Sequence, residues 1–387
     1  MSYKDFLNSK PMYYDKIDYT RFPRAYELIK SKLNLPQIIH VVGTNGKGST
    51  GRFLAQILKD SGKKVAHYTS PHIFDFNERF WIDGEILKDE ILQNTHEKLL
   101  EYFSNLDKNE ENFIDTLSYF EWATLMAGVA FETCDEVIME AGMGGEYDAT
   151  NVFAKKLSIF TPIGLDHTAM LGDSLEQIAT TKLNSMQNQA IISSEFALLD
   201  LAKSIALKRQ TKLIKAPKTL FQSVQKYADK FALPEFLASN LNLAYFCAKQ
   251  LGVANLDEIM SNLNALSLQA RCQKISSNLT IDVGHNAHGA KALAKHFMDQ
   301  KVNLIYNSFD DKDIMAVLKE LKPIISNLLI YEYESFERKL AGDKIQKIAA
   351  QLGIKCAKFT SLKDDENYLV FGSFVLVYHF IKETLEK

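Results

Sequence analysis

The chain has 387 residues, too many for one ordinary hydrophobic core, so two domains are expected. Its 46% hydrophobic and 24% charged residues are those of a globular protein, and a net charge of −3 leaves no basic footprint for nucleic acid. The four scattered cysteines, Cys134, Cys247, Cys272 and Cys356, fit no metal spacing, and MSYKDFLNSK lacks the apolar core of a signal peptide, so a cytoplasmic protein with reduced thiols and no membrane contact is expected.

In chain order, QIIHVV (37–42) reads as a strand running into GTNGKGST (43–50). Phe53, Leu54, Ile57 and Leu58 then fall on one face of a helix that Gly62 ends. KKVAHY (63–68) is the next strand, FEWATLMAGVAFE (120–132) an apolar helix, and EVIME (136–140) and LSIFTPIG (157–164) further core strands. Residues 195–235 are polar, lysine-rich and weakly patterned. After Arg271 the alternation restarts, with strands at LTIDVG (279–284), VNLIYN (302–307), NLLIYEY (327–333) and YLVFGSF (368–374). The apolar run YLVFGSFVLVYHFI (368–381) is too short to span a bilayer and is broken at Gly372-Ser373, so it reads as a strand followed by a helix. Strands alternating with helices predict an α/β protein. Residues 1–269 are expected to form a phosphate-loop domain on a mostly parallel sheet, and 270–387 a smaller Rossmann-like α/β domain.

GTNGKGST is not a Walker A loop. Only Thr44 and Asn45 separate Gly43 from Gly46, and Gly48 stands between Lys47 and Ser49. Its context, between a strand and a helix, is nevertheless that of a phosphate cradle, because free amides and the helix dipole favour an anion there. Asn45, Gly46, Lys47 and Gly48 would hold the phosphates, with Lys47 reaching the terminal ones and Ser49 offering a hydroxyl to Mg²⁺. A glycine-rich turn without a ligand is the competing reading of this stretch alone.

The same loop resembles that of the Mur ligase superfamily, and specifically of its dihydrofolate synthase/folylpolyglutamate synthase family. Other segments resemble that family in order: YTSPHIFDFNERFWIDG (68–84), LSYFEWATL (117–125), MEAGMGGEYDATNV (139–152), IGLDHTAMLGDSLEQIATTK (163–182), ARCQ (270–273), IDVGHNAHGAKAL (281–293), DDKD (310–313) and VFGS (370–373). The resemblance implies an ATP-dependent ligase that adds L-glutamate to 7,8-dihydropteroate and further glutamates to reduced folates. Such a reaction activates the acid as an acyl phosphate, which the glutamate amine attacks. Bringing phosphate to a carboxylate crowds negative charge, so cations must gather between them.

By resemblance, Ser49, Ser70, Glu140 and His167 would ligate Mg²⁺, two ions being expected and K⁺ a further candidate. Glu140 and His167 each follow a predicted strand, which places them at the carboxyl edge of a sheet where ligands bind. The family's lysine at the position of Lys182 carries a carbamate. Its neighbours here, TTKLNSM, lack the usual preceding acid, and an ordinary surface lysine is the competing reading. Asn240, Arg271 and Asp282 would contact nucleotide, His285 and Ser373 the incoming glutamate, and Phe120, Glu121, Tyr147 and Asp148 the pteroate. Here Ala287 replaces the family's proline after His-Asn, Cys272 replaces an aromatic residue after Arg271, and KIDYTRFPRAYEL (16–28) carries an extra Phe22-Pro23. A peptidoglycan-type Mur ligase would need a nucleotide-sugar domain ahead of the loop, where the first strand at residue 37 leaves no room. A non-catalytic ATP-binding regulator would be expected to lose metal ligands or the 282–286 set. A monomer acting on small molecules is the expectation.

Overall fold

In the computed structural model, residues 1–12, 18–104, 111–335 and 338–386 are described, so Lys16 and Ile17 at the head of the 16–28 segment fall outside. The chain divides into two compact units. The first comprises Met1–Ile163, His167–Tyr227 and Ser239–Leu266, and the second Gly164–Asp166, Ala228–Ala238 and Ser267–Lys387.

The strands of the first unit are β1 (Ile38–Val42), β2 (Val65–Tyr68), β3 (Phe80–Ile82), β4 (Glu85–Ile86), β5 (Glu136–Glu140), β6 (Lys155–Phe160), β7 (Gln189–Ile192) and β8 (Lys212–Lys215). They form an eight-stranded sheet in the order β4-β3-β2-β5-β1-β6-β7-β8, parallel from β2 to β8, with β3 and β4 antiparallel at one edge. β1 and β5 are buried along their whole length, as expected of β-branched runs covered on both faces. Ile39 lies opposite Ile138 of β5 and Leu157 of β6, which sets β1 at the centre. The ends of β1, β2, β5 and β6 therefore share one sheet edge.

The helix Lys47–Asp60 runs from that edge and is buried from Gly48 to Leu58. Gly51 is needed there, since a Cβ would come within 2.5 Å of the His67 ring. The apolar helix Tyr119–Ala130 starts at a capping box in which Ser118 and Glu121 satisfy each other's backbone amides. Its Trp122 is fully buried and donates to His96 at 3.1 Å, so Trp122→Ala would cost about 4 kcal/mol. The unpatterned region 195–235 holds the helices Leu199–Lys208 and Gln222–Lys230 and the strand β8. β8 is the sheet's outer strand and its lysines point to solvent, which is why its sequence carries no continuous apolar run.

The second unit has β9 (Gln273–Lys274), β10 (Leu279–Asp282), β11 (Val302–Tyr306), β12 (Ile325–Ile330), β13 (Cys356–Lys358) and β14 (Tyr368–Phe371), in the order β13-β12-β11-β14-β10-β9. All pairings are parallel except that of β9. β12 ends at Ile330 rather than 333, and just past it the Tyr331 ring packs on Phe359 and Phe380, at 5.5 Å from each. The 368–381 run is a strand and then the helix Phe374–Phe380, separated by Gly372 at φ 148° and capped by Ser373. No helix among the described residues is long and apolar enough to cross a membrane.

Candidate active site

The glycine loop follows β1 directly. Gly43 lies against Thr161, where a Cβ would meet the hydroxyl at 1.9 Å, and the Thr44 amide donates to the Pro162 carbonyl at 3.0 Å. Gly46 has φ 85°, a left-handed value suited to glycine, and a Cβ on it would strike Asn240 at 2.5 Å. This residue opens the helix Lys47–Asp60 with no side-chain cap. The first-turn amides therefore point outward without an intrahelical acceptor, which is the fit a phosphate requires.

Lys47 and Glu140 meet at this edge, Nζ to Oε1 at 3.9 Å, and Lys47 also reaches the Thr44 carbonyl at 3.4 Å. Glu140 closes β5, and its Oε2 accepts from the Thr69 hydroxyl and from the Ser70 amide at 3.3 Å. Ser49 is buried on the first helical turn. Lys47, Ser70 and Glu140 are thus joined by direct contacts. Among the described residues no three His, Cys, Asp or Glu side chains converge on a metal-sized site. A carboxylate with serine hydroxyls nonetheless fits a hard divalent ion, which takes its remaining ligands from water and phosphate. His167 stands exposed, at φ 51°, before the short helix Thr168–Leu171.

Lys182 is not a surface lysine. It is 4% exposed, and its Nζ donates to the Gly43 carbonyl at 2.9 Å and the Gly144 carbonyl at 3.4 Å. Gly145 makes this seat possible, since a Cβ there would lie 2.7 Å from the Lys182 backbone.

The residues expected around pteroate have further duties. Glu121 forms a two-pronged ion pair with Arg21, at 3.2 and 3.0 Å. Both Asp148 oxygens are engaged: Oδ2 by the Met143 amide at 2.8 Å, and Oδ1 by the Thr150 amide and hydroxyl at 3.0 and 2.5 Å. Burial pushes the Asp148 carboxyl above its ordinary range, while those bonds and the Lys182 charge pull it back. The Thr150 hydroxyl continues to buried His40 at 2.7 Å, so the 142–150 loop is tied to β1 from below. Phe120 packs under Gly142, and Tyr147 is exposed with its ring 4.2 Å from that of Tyr19.

In the second unit, Arg271 lies between Ala270 and Cys272, both with left-handed φ near 50° (51° and 48°), an unusual pair for residues with side chains. Asp282 holds that turn, accepting from the Cys272 amide at 2.8 Å and the Gly284 amide at 2.7 Å. Burial raises its carboxyl above the ordinary range. The Arg271 guanidinium stacks 5.1 Å from the Phe374 ring centre. His285 Nε2 lies 3.4 Å from Asp166, which also receives Asn286 at 3.1 Å and Lys312 at 3.4 Å. The Ser373 hydroxyl accepts from the Leu376 amide at 3.0 Å.

Sequence reasoning did not single out Thr69, Thr161, Arg21, Asp166 or Lys312. All five stand inside quoted segments, Thr69 and Asp166 directly beside the singled-out Ser70 and His167. The partners of Thr161 and Arg21 are distant in the chain and leave no local signal.

Residues 41–233 match the Mur ligase middle domain family. The solved folylpolyglutamate synthetase of Helicobacter pylori is 40% identical, with 99% of this chain and 98% of that one covered and a TM-score of 0.78. The chain belongs to the dihydrofolate synthase/folylpolyglutamate synthase family. The Haemophilus influenzae dihydrofolate synthase/folylpolyglutamate synthase is 29% identical over 95% of each chain. The bifunctional enzyme of Yersinia pestis, solved with AMPPNP and a manganese ion, shares the fold at 24% identity and a TM-score of 0.81, covering 100% of this chain and 97% of that one. The glycine loop departs from Walker A spacing yet combines an uncapped helix start with a lysine and a strand-end carboxylate.

Proposed function

We propose that this chain is an ATP-dependent carboxylate–amine ligase that joins L-glutamate to 7,8-dihydropteroate and extends reduced folates by further glutamates. The observation that carries the reading is the 40% identity to a folylpolyglutamate synthetase over 99% of the chain. The meeting of Lys47 with Glu140 beside an uncapped helix start agrees with it.

In this reading residues 1–269 bind ATP and 270–387 carry the glutamate. The first-turn amides of Gly46 and Gly48, with Asn45 and Lys47, bind the β- and γ-phosphates of ATP, and Asn240 buttresses Gly46. Lys47 neutralises charge as the terminal phosphoryl group meets the acid. Ser49, Ser70, Glu140 and His167 hold the divalent metal, which when bound supplies charge neutralisation and a template for the phosphates. Thr69 fixes the Glu140 carboxylate. Lys182, once carbamylated, would add a carboxylate to the metal site, and K⁺ would be a further cation there. Arg271 and Asp282 serve the nucleotide, Asp282 by holding the turn from which Arg271 projects. His285 and Ser373 receive glutamate, while Phe120, Glu121, Tyr147 and Asp148 line or brace the pteroate site. The protein acts as a monomer in the cytoplasm.

The test supplies ATP and glutamate with dihydropteroate or with tetrahydrofolate and measures glutamylated product for each. Product from both supports the bifunctional reading; product from neither removes it.

A further inference from the structure

A buried charge is costly unless an opposite charge meets it. Arg79 ends the turn Phe76–Arg79 and is 6% exposed, yet among the described residues no carboxylate pairs with it. The neighbouring Glu78 is already engaged by the amides of Ile73, Phe74 and Asp75, at 2.8, 2.7 and 2.9 Å. The groups around the guanidinium are neutral. They are the His72 ring, the Tyr68 hydroxyl, and the rings of Tyr119 and Phe76, whose centres are 5.3 and 5.8 Å from the guanidinium carbon.

The contact with His72 fixes a tautomer. Arg79 Nε donates to His72 Nδ1 at 3.0 Å, and a guanidinium has donors only. Nδ1 must therefore present its lone pair, which leaves the proton on Nε2. That N–H has no acceptor on the protein among the described residues. A cation and an oriented N–H thus stand side by side, both lacking an acceptor with charge.

Their place in the chain says what they face. His72 lies two residues after Ser70, whose amide holds Glu140 at the phosphate edge. On the other side, Tyr119 meets Phe76 edge to face at 5.7 Å, and Phe120 lies 6.1 Å from Tyr68 and beneath Gly142. The segment therefore links a carboxylate-activating end to an aromatic end, which suits a flat aromatic acid. Building on the ligase reading above, we propose that Arg79 and His72 together form the corner that recognises the pteroyl portion common to dihydropteroate and reduced folates. The guanidinium and the Nε2–H donate to its oxygen acceptors, and the aromatic side chains offer faces for its rings.

Arg79→Met keeps the volume and removes the donors, while Arg79→Lys keeps the charge and loses the fork. His72→Gln places an amide donor near the Nε2 position, and His72→Asn, one methylene shorter, reaches only the Nδ1 position. Arg79→Met should raise KM for dihydropteroate and tetrahydrofolate alike by about tenfold or more, with KM for ATP and kcat little changed. The calorimetric Kd for dihydropteroate should rise by the same factor, with Arg79→Lys intermediate and His72→Gln milder than His72→Asn. An unchanged dihydropteroate Kd in a folded Arg79→Met variant would overturn the proposal. So would a fall in melting temperature with KM for every substrate shifted alike, which marks Arg79 as a structural bracket. Loss confined to tetrahydrofolate would also overturn it, because the guanidinium would then read a glutamyl carboxylate. A wild-type protein that ligates neither acid would remove the ligase reading instead, and the dihydropteroate Kd would still decide the role of Arg79.

Discussion

The Nζ of Lys182 donates to the carbonyl of Gly43 across 2.9 Å, joining residues 139 positions apart and seating the end of the helix Leu175–Leu183 under the glycine loop. A carbamylated Nζ keeps one N–H, enough for this bond, and gives up the longer contact to Gly144 at 3.4 Å. We predict that Lys182→Ala loses ligation and that acetate partly restores it. Carbon-13 bicarbonate should give a carbamate resonance that the variant lacks. A bare amine in a high-resolution map of protein kept in bicarbonate would count against the modification.

The phosphate role proposed for Lys47 asks nothing of the core, since its contacts are a 3.9 Å approach to Glu140 and a long bond to Thr44. Lys47→Ala should therefore abolish ligation and leave the melting temperature unchanged. A kcat/KM within about tenfold of wild type, worth only about 1.4 kcal/mol, would refute the phosphate role.

Arg21 and Glu121 test the bracing of the helix Tyr119–Ala130. Their side chains are 9% and 11% exposed. Glu121→Gln keeps the cap but strands the arginine charge, and should cost about 3 kcal/mol in urea unfolding. Replacing both, as Arg21→Met with Glu121→Leu, should cost less than removing the carboxylate charge alone. Equal or greater loss in the double variant would show that the pair itself is stabilising.

Lys155 gives a pH signature. It is fully buried at the start of β6, where burial and then the Arg209 charge push its amine down to about 7 from 10.5. Between those values the unfolded chain holds one proton more, so this residue makes stability rise with pH across that window. The contribution is lost as pH falls toward 7. The wild-type minus Lys155→Met difference in unfolding free energy should climb by about 1.4 kcal/mol per pH unit between about pH 7.5 and 9.5. A flat difference would mean that Lys155 stays charged in the fold.

Much of the fold was legible because burial leaves a local imprint. β1, β5 and β11 are rich in Ile, Val and Leu and buried at every position, and the helix after the glycine loop shows its buried face in Phe53, Leu54, Ile57 and Leu58. The outer strand β8 was not, because an edge strand with solvent-facing lysines lacks that imprint. At the candidate site, the loop, Glu140 and Lys182 were singled out through their order in the chain, and the structure brings Lys47 to Glu140 and Lys182 to Gly43. The partner of Lys182, the Arg21–Glu121 pair and the unpaired charge of Arg79 depend on contacts between distant segments, which no local spacing encodes.

The fate of an activated acid links these parts. An acyl phosphate exposed to water is hydrolysed, so a ligase must hold back ATP turnover until the acid is bound. The most direct measurement follows ADP and dihydrofolate together while dihydropteroate and glutamate are added in turn. The account predicts little ADP without dihydropteroate, and one dihydrofolate for each ADP when both substrates are present. Rapid ATP hydrolysis that ignores both substrates would contradict it.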